Sequence, residues 1–336
     1  MNLFFYFLKV LNKLFDPPAY KPLLKYKTQV LRLLSRIFGR NTRTALAILL
    51  LLVIIGYGIY RLQQKETAIA AAPAAKEAAG ITWKGADNRI INIGKIASTY
   101  YVSGGELTAD SSMVHFITHN NSNLGGYHML FVPKGYIYKL ILPDSTIVEL
   151  NADSWIRIPA DYGCLKRELF FEGEAFFDIA PDARRLLTIH SGPVDVLALG
   201  TSVNINNYDG NNIQVALVEG SVIVSTTDRK KQLKAGEAAT VEKYTSLMAI
   251  DTFSLTHTLG WRRGRYDAQC KTMKEIAAVM ERWYNIKVVF DNPDLASQVL
   301  SGALFRNQPP EKYLKNFKDL GLLDYYMDDE STLHLK

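Results

Sequence analysis

The chain has 336 residues, 39 Lys and Arg against 33 Asp and Glu, and a formal net charge of +6. Nine of those basic residues and a single acidic one, Asp16, lie between Met1 and Thr44, so this arm carries +8 and the rest, 30 basic against 32 acidic, carries −2. The body therefore lacks the excess cation that a phosphate-binding surface needs, and an apolar content of 48% excludes general disorder.

The N-terminal arm, 1–44, reads as two amphipathic helices. In Leu3 to Phe15 the residues Phe4, Phe7, Leu8, Leu11, Leu14 and Phe15 oppose Lys9, Asn12 and Lys13. Asp16-Pro17-Pro18 then breaks the helix. In the second, Tyr26, Val30, Leu33, Leu34 and Ile37 oppose Lys21, Lys25, Arg32 and Arg36. Such a face suits the headgroup boundary of a membrane, and this is the preferred reading. It also suits a groove for a partner helix, which makes Leu33, Leu34 and Ile37 candidate partner contacts.

Ala45 to Tyr60, ALAILLLLVIIGYGIY, is apolar and uncharged between Arg43 and Arg61. The 17 residues between those arginines span about 26 Å as a helix at about 1.5 Å per residue, the short end of a membrane span. We place the transmembrane helix at 45–62. The basic arm before it puts the N-terminus in the cytoplasm and the body in the periplasm. A cleaved leader ending near Ala68-Ile69-Ala70 is disfavoured, because charged Arg61, Lys65 and Glu66 would sit before the cut. The Ala-rich 63–80 reads as a linker.

From 81 to 255 short alternating runs and turns predict a mainly-β domain, sandwich or solenoid-like. Strand candidates are Ile137–Leu142, Ile147–Leu150, Glu168–Ile179, Val194–Leu199, Ile213–Leu217, Ser221–Ser225 and Ala238–Glu242. Beyond Trp261 the period changes. Met273, Ile276, Ala277, Met280 and Tyr284 recur at helix spacing, and strands at Ile286–Phe290 and Val299–Phe305 follow. A helix opened by Pro309-Pro310 and short strands at Leu323–Met327 and Thr332–Leu335 complete two strand–helix–strand units, a small α+β module at 260–336.

Chemistry-bearing patterns are sparse. His115-x-x-x-His119 falls in the β-like run HFITH without the HExxH glutamate. Glu172-Gly173-Glu174 sets two carboxylates on one strand face around a glycine, more readily a bend with solvated or paired glutamates than an acid/base pair. Cys164 and Cys270 exclude a disulfide framework and a CxxC pair, though they could join each other in an oxidising compartment. No catalytic set, metal site or cofactor loop is expected, and the chain does not read as an enzyme.

Val132-Pro133-Lys134-Gly135 leading into LPDSTIVELNADSWIRIP (Leu142 to Pro159) resembles the FecR family of transmembrane anti-sigma regulators. KRELFFEGEAFFDIA (Lys166 to Ala180), Leu199-Gly200-Thr201-Ser202-Val203-Asn204, LVEGSVIV (Leu217 to Val224) and Leu233 to Ala238 extend that resemblance. Trp261, Met273, Glu275-Ile276, Glu281 to Ile286 and Ser301-Gly302 resemble the C-terminal domain that accompanies FecR, which is similar to the short N-terminal (STN-like) signalling domain of TonB-dependent receptors. The resemblance implies a relay. The signalling domain of a TonB-dependent outer-membrane receptor would be met in the periplasm, and an ECF sigma factor held or released in the cytoplasm. No small-molecule substrate or cofactor is implied. A membrane-tethered binding or envelope-structural module without sigma activity is the alternative. Trp261, Trp283 and Tyr284 are candidate partner contacts, with a core or hinge role the readier one.

Two departures bear on structure and one on function. Asp144-Ser145-Thr146 stands where the family has Asp-Gly-Thr, a turn whose middle residue takes positive φ. Ala235-Gly236 replaces Pro-Gly. The longer cytoplasmic anti-sigma domain of the family gives way to the basic arm, which leaves open a divergent arm or a start codon placed too late.

Overall fold

A computed structural model of the chain describes residues 80–119, 125–163 and 167–336. They belong to one compact unit, Ala72–Lys336. The amphipathic arm, the apolar run at 45–62 and most of the linker lie outside the described residues, as does Cys164. Among the described residues no helix is long and apolar enough to cross a membrane.

The first strands are β1 (Thr82–Lys84), β2 (Ile90–Asn92), β3 (Ser98–Val102), β4 (Gly105–Ala109), β5 (Met113–Thr118) and β6 (Tyr127–Val132). Next come β7 (Tyr138–Ile141), β8 (Ile147–Leu150), β9 (Ser154–Pro159), β10 (Arg167–Glu172), β11 (Glu174–Ile179) and β12 (Leu187–Ser191). The run ends with β13 (Val194–Ala198), β14 (Thr201–Asn206), β15 (Asn212–Glu219), β16 (Ser221–Ser225), β17 (Lys230–Lys234), β18 (Glu237–Glu242) and β19 (Met248–Thr252).

They form a nine-stranded sheet, β17-β16-β13-β12-β10-β9-β6-β1-β2, and a ten-stranded sheet, β19-β18-β15-β14-β11-β8-β7-β5-β4-β3. Strand number climbs along both sheets, so the chain shuttles between them while advancing. The architecture is a sandwich with solenoid-like progression, mainly antiparallel, with parallel pairs β5–β7 and β10–β12.

Period-2 alternation explains the packing. Val194, Val196 and Ala198 of β13 are buried while Asp195 and Leu197 face outward. Alternate residues of both sheets interdigitate in one core that includes Trp83, Phe116, Leu130, Phe171, Phe177 and Val215. At about 25 cal/mol per Å² of apolar surface, such burial is the main stabilising contribution.

Two polar features are built into this sandwich. The turn joining β7 to β8 places Ser145 at φ +67, as the departure from Asp-Gly-Thr foreshadows. Asp144, beside it, accepts from Arg167 Nε at 2.7 Å and from the Tyr162 hydroxyl at 2.7 Å. The buried Arg167 also donates to Thr146 Oγ1 and the Ala180 carbonyl, so its charge is paired and hydrogen-bonded. Elsewhere, His128 of β6 is fully buried between Trp83 and Phe116. Its Nδ1 accepts from Ala86 N and its Nε2 has no partner. Burial pulls its pKa down to about 4.

Beyond β19 follow α1 (Leu255–Leu259), a 3-10 turn (Gly260–Arg263), β20 (Arg265–Thr272), α2 (Met273–Tyr284) and β21 (Lys287–Phe290). A second 3-10 turn (Pro293–Ser297), β22 (Val299–Phe305), α3 (Pro310–Asp319), β23 (Tyr325–Met327) and β24 (Thr332–Leu335) complete the chain. The two expected strand–helix–strand units are present. β20 pairs with β22, and β24 lies between β21 and β23. α2 starts at a capping box, Glu275 N donating to Thr272 Oγ1 and Thr272 N donating to Glu275 Oε2, and ends on Asn285 at φ +53. Cys270, at φ +49 in a β20 bulge, is a free, exposed thiol, and its contemplated partner Cys164 lies outside the described residues.

Ser145→Gly should raise the unfolding free energy by about 0.5–1 kcal/mol, because a side chain at positive φ costs about 1–2 kcal/mol and glycine's extra unfolded-state entropy offsets part of it. Denaturant midpoints measure it.

His128 should make the fold acid-sensitive. Its folded pKa lies below the unfolded value, so the unfolded chain takes up the proton first, and stability present above pH 6.5 is lost as the pH falls towards 4. The shift corresponds to about 3 kcal/mol. His128→Asn, whose Oδ1 can accept from Ala86 N, should lose that much less than wild type between pH 7 and pH 4 in parallel denaturant titrations.

Candidate functional site

The outer face of the ten-stranded sheet is covered by the C-terminal unit. Val148, Ala175, Phe177, Val203 and Ile205 point into the sandwich core, so their neighbours Glu149, Phe176 and Asn204, aligned across β8, β11 and β14, face out. Phe176 packs in a second core with Trp261, Ile276, Met280, Trp283, Leu304 and Leu314.

Polar contacts fix this docking. Arg262 forks onto Glu149, Nε to Oε2 at 2.9 Å and Nη2 to Oε1 at 2.8 Å, with its guanidinium 3.8 Å over the Phe176 ring. The Arg262 hydrogen bonds hold the Glu149 carboxyl below its usual range. Trp261 Nε1 donates to Asn204 Oδ1 at 3.2 Å. Arg306 donates to Asn151 Oδ1 at 2.6 Å and lies 4.6 Å over Trp283. Arg282 lies 4.0 Å over the Tyr208 ring, and its carbonyl accepts from Gly135 N at 2.7 Å.

At the centre is Glu174. Gly173, at φ +109, turns the chain out of β10 in one sheet and into β11 in the other. The two glutamates around it therefore share no strand face, which corrects the expectation for Glu172-Gly173-Glu174. Glu172 is exposed and accepts from Trp155 Nε1 at 3.0 Å. Glu174 is buried, not solvated, and accepts three amide bonds: from Asn151 at 2.9 Å, Asn204 at 3.3 Å and Asn206 at 2.9 Å. Burial raises its pKa, while the three amides and the charge of Arg282 pull the other way. Burial likewise lowers Arg306, to about 10, which leaves it charged at neutral pH.

The arrangement is a charge-organised interface. Its carboxylate is occupied by donors, and its tyrosine, Tyr208, hydrogen-bonds Ser154 and the Ala152 carbonyl. Among the described residues no group of three His, Cys, Asp or Glu is placed to hold a metal.

Of the candidate contacts, Trp261 and Trp283 are buried in this docking core, at 3% and 4% exposure. Tyr284 is half-buried, donates to the Phe305 carbonyl at 2.9 Å, and lines a shallow groove of about 280 Å³ with Gln308, Lys312 and Asn316. Leu33, Leu34 and Ile37 lie outside the described residues. Sequence reasoning did not single out Asn151, Asn204, Arg282 or Arg306. The available signal was polar amides at outward positions of otherwise apolar strands, within the motifs that carry the family resemblance.

Residues 130–223 match the family model described as FecR protein, and residues 269–333 the one described as FecR, C-terminal. The chain carries a FecR domain followed by a FecR C-terminal domain. Every sheet-side residue of the seam named above falls within the first match, and Arg282, Trp283 and Arg306 fall within the second. Two crystal structures of a candidate anti-sigma factor from Parabacteroides distasonis, at 2.50 and 1.65 Å, share the fold at 23% identity and a TM-score of 0.56. The alignment covers 62% of this chain and 98% of that one. No curated protein matches the chain.

Gly173 has no room for a methyl group: a Cβ would lie 2.2 Å from Ser154 Oγ. Gly173→Ala combines that overlap with an unfavourable φ, and should cost about 3 kcal/mol or more. Thermal or denaturant unfolding of the variant checks this.

Proposed function

We propose that this protein is a single-pass inner-membrane anti-sigma regulator of the FecR family. It receives a signal from the signalling domain of a TonB-dependent outer-membrane receptor and passes it to a cytoplasmic ECF sigma factor. The observation that carries the reading is the tandem of FecR and FecR C-terminal matches in one chain. The description of the structural neighbour as a candidate anti-sigma factor is consistent with it. So is the order of a +8 arm, an uncharged apolar run and a slightly acidic body, which sets the arm inside and the body outside.

In this reading the C-terminal α+β unit is the STN-like receiving module, and the sandwich couples it to the span at 45–62 through the linker at 63–80. The apolar stripe Leu33, Leu34 and Ile37 holds the sigma factor as an amphipathic helix in a groove. The role is regulatory, with no reaction assigned to the chain.

Replacing Leu33, Leu34 and Ile37 together by Asn tests the cytoplasmic half. In a reporter strain the variant should insert normally, fail to co-purify the sigma factor and change transcription from its promoter by on the order of tenfold, the effect of about 1.4 kcal/mol in binding. Unchanged transcription with normal insertion would instead favour a tethered envelope module without sigma activity.

A further inference from the structure

We infer that Glu174 is the positioning residue for docking of the C-terminal unit: it turns the Asn151 and Asn204 amides so that their carbonyl oxygens face Arg306 and Trp261. An ionised carboxylate only accepts hydrogen bonds. Glu174 Oε2 takes Nδ2 of Asn151, and Oε1 takes Nδ2 of Asn204 and of Asn206. With each NH₂ committed to the carboxylate, each amide oxygen points the opposite way. There Asn204 Oδ1 meets Trp261 Nε1 and Asn151 Oδ1 meets Arg306 Nη2, both groups that can only donate.

Reversing either amide would set donor against donor at Trp261 or Arg306 and, at once, acceptor against acceptor at Glu174. A buried donor left facing a donor costs its full desolvation. A glutamine at 174 presents one NH₂ of its own and cannot accept from all three amides on both terminal atoms. The carboxylate is therefore what makes the pattern single-valued. Asn151 has a second anchor, because its Oδ1 also accepts from Ala152 N. Among the described residues the Asn204 side chain bonds Glu174 and Trp261 alone, so the line Glu174–Asn204–Trp261 is the sensitive one.

The cations of the C-terminal unit complete the device. Arg282 and Arg306 act electrostatically on this carboxylate, so the unit supplies the charge that keeps its own docking surface ordered. This deepens the relay proposed above by naming where engagement of the C-terminal unit would be felt. Docking itself can be measured whether or not the arm binds a sigma factor, so the two readings can fail separately.

The test uses the full chain and its four tryptophans. The Trp261 indole N–H resonance is assigned by its loss in Trp261→Phe. Glu174→Gln should move that resonance and speed its solvent exchange by on the order of tenfold, and should speed protease cleavage within 253–259 by a similar factor. Trp261→Phe should also speed cleavage, and the double variant should add little to either, because both changes break one line. Independent, multiplying effects on cleavage, or an unmoved indole in Glu174→Gln, would overturn the inference.

Wild type supplies an arm that needs no substitution. Acidification that protonates Glu174 should shift the indole in the direction seen in Glu174→Gln. The carboxylate is faced by Arg282, and by Arg306, Tyr208 and Tyr266, which lose their protons only at far higher pH, while Arg262 holds Glu149, across the seam, below its usual range. An indole that stays fixed down to pH 4 while the fold persists would equally overturn the inference.

Discussion

The corner at Gly173 and the carboxylate that follows it organise the body of this protein. Only a glycine can take φ +109 against the backbone of Ser154. That turn starts β11 at the point where Glu174 N donates to Ser154 Oγ and Glu174 O accepts from Asn151 N. The carboxylate is thereby brought in at the rim of the ten-stranded sheet, buried among three asparagines. A charge so placed must be matched by oriented donors. Those donors, once oriented, offer a fixed pattern of acceptors to whatever covers the sheet.

What covers it is the C-terminal α+β unit. Its contribution is apolar through Trp261 and Trp283, which pack with Phe176 of β11, and ionic through Arg262, Arg282 and Arg306 stacked on aromatic rings. Apolar burial supplies adhesion with little directionality, while amides and guanidinium forks set the register of one unit on the other. An interface of this composition is one a binding partner can bias, since a few oriented bonds carry its specificity. That suits the receiving role proposed for this unit.

Much of the architecture is legible in local pattern. Alternation predicts β8, β13 and β16 nearly to the residue, helix spacing predicts α2, and Pro309-Pro310 marks the start of α3. Local pattern is silent where a strand is covered on both faces. The strand β9, Ser154–Pro159, is buried along almost its whole length, so it shows no alternation to read. β14 is obscured for the opposite reason: Asn204 and Asn206 look like a solvated face, yet they are donors to a buried carboxylate. The Glu172-Gly173-Glu174 run is misread as one strand face because the glycine's φ, invisible in a string of letters, sends the halves to different sheets.

By itself, the sequence determines the segregation of charge, +8 on the arm and −2 on the rest, the alternating strands, the helix faces and the turns that need positive φ. Each is local, set by residues within a few positions of one another. Only the tertiary structure decides that the outer face of one sheet is a docking surface, and that Glu174 is buried rather than solvated. It also decides that Asn151 answers to Arg306, 155 residues away. The pairing of a buried charge depends on which distant groups arrive beside it, and periodicity holds no record of that.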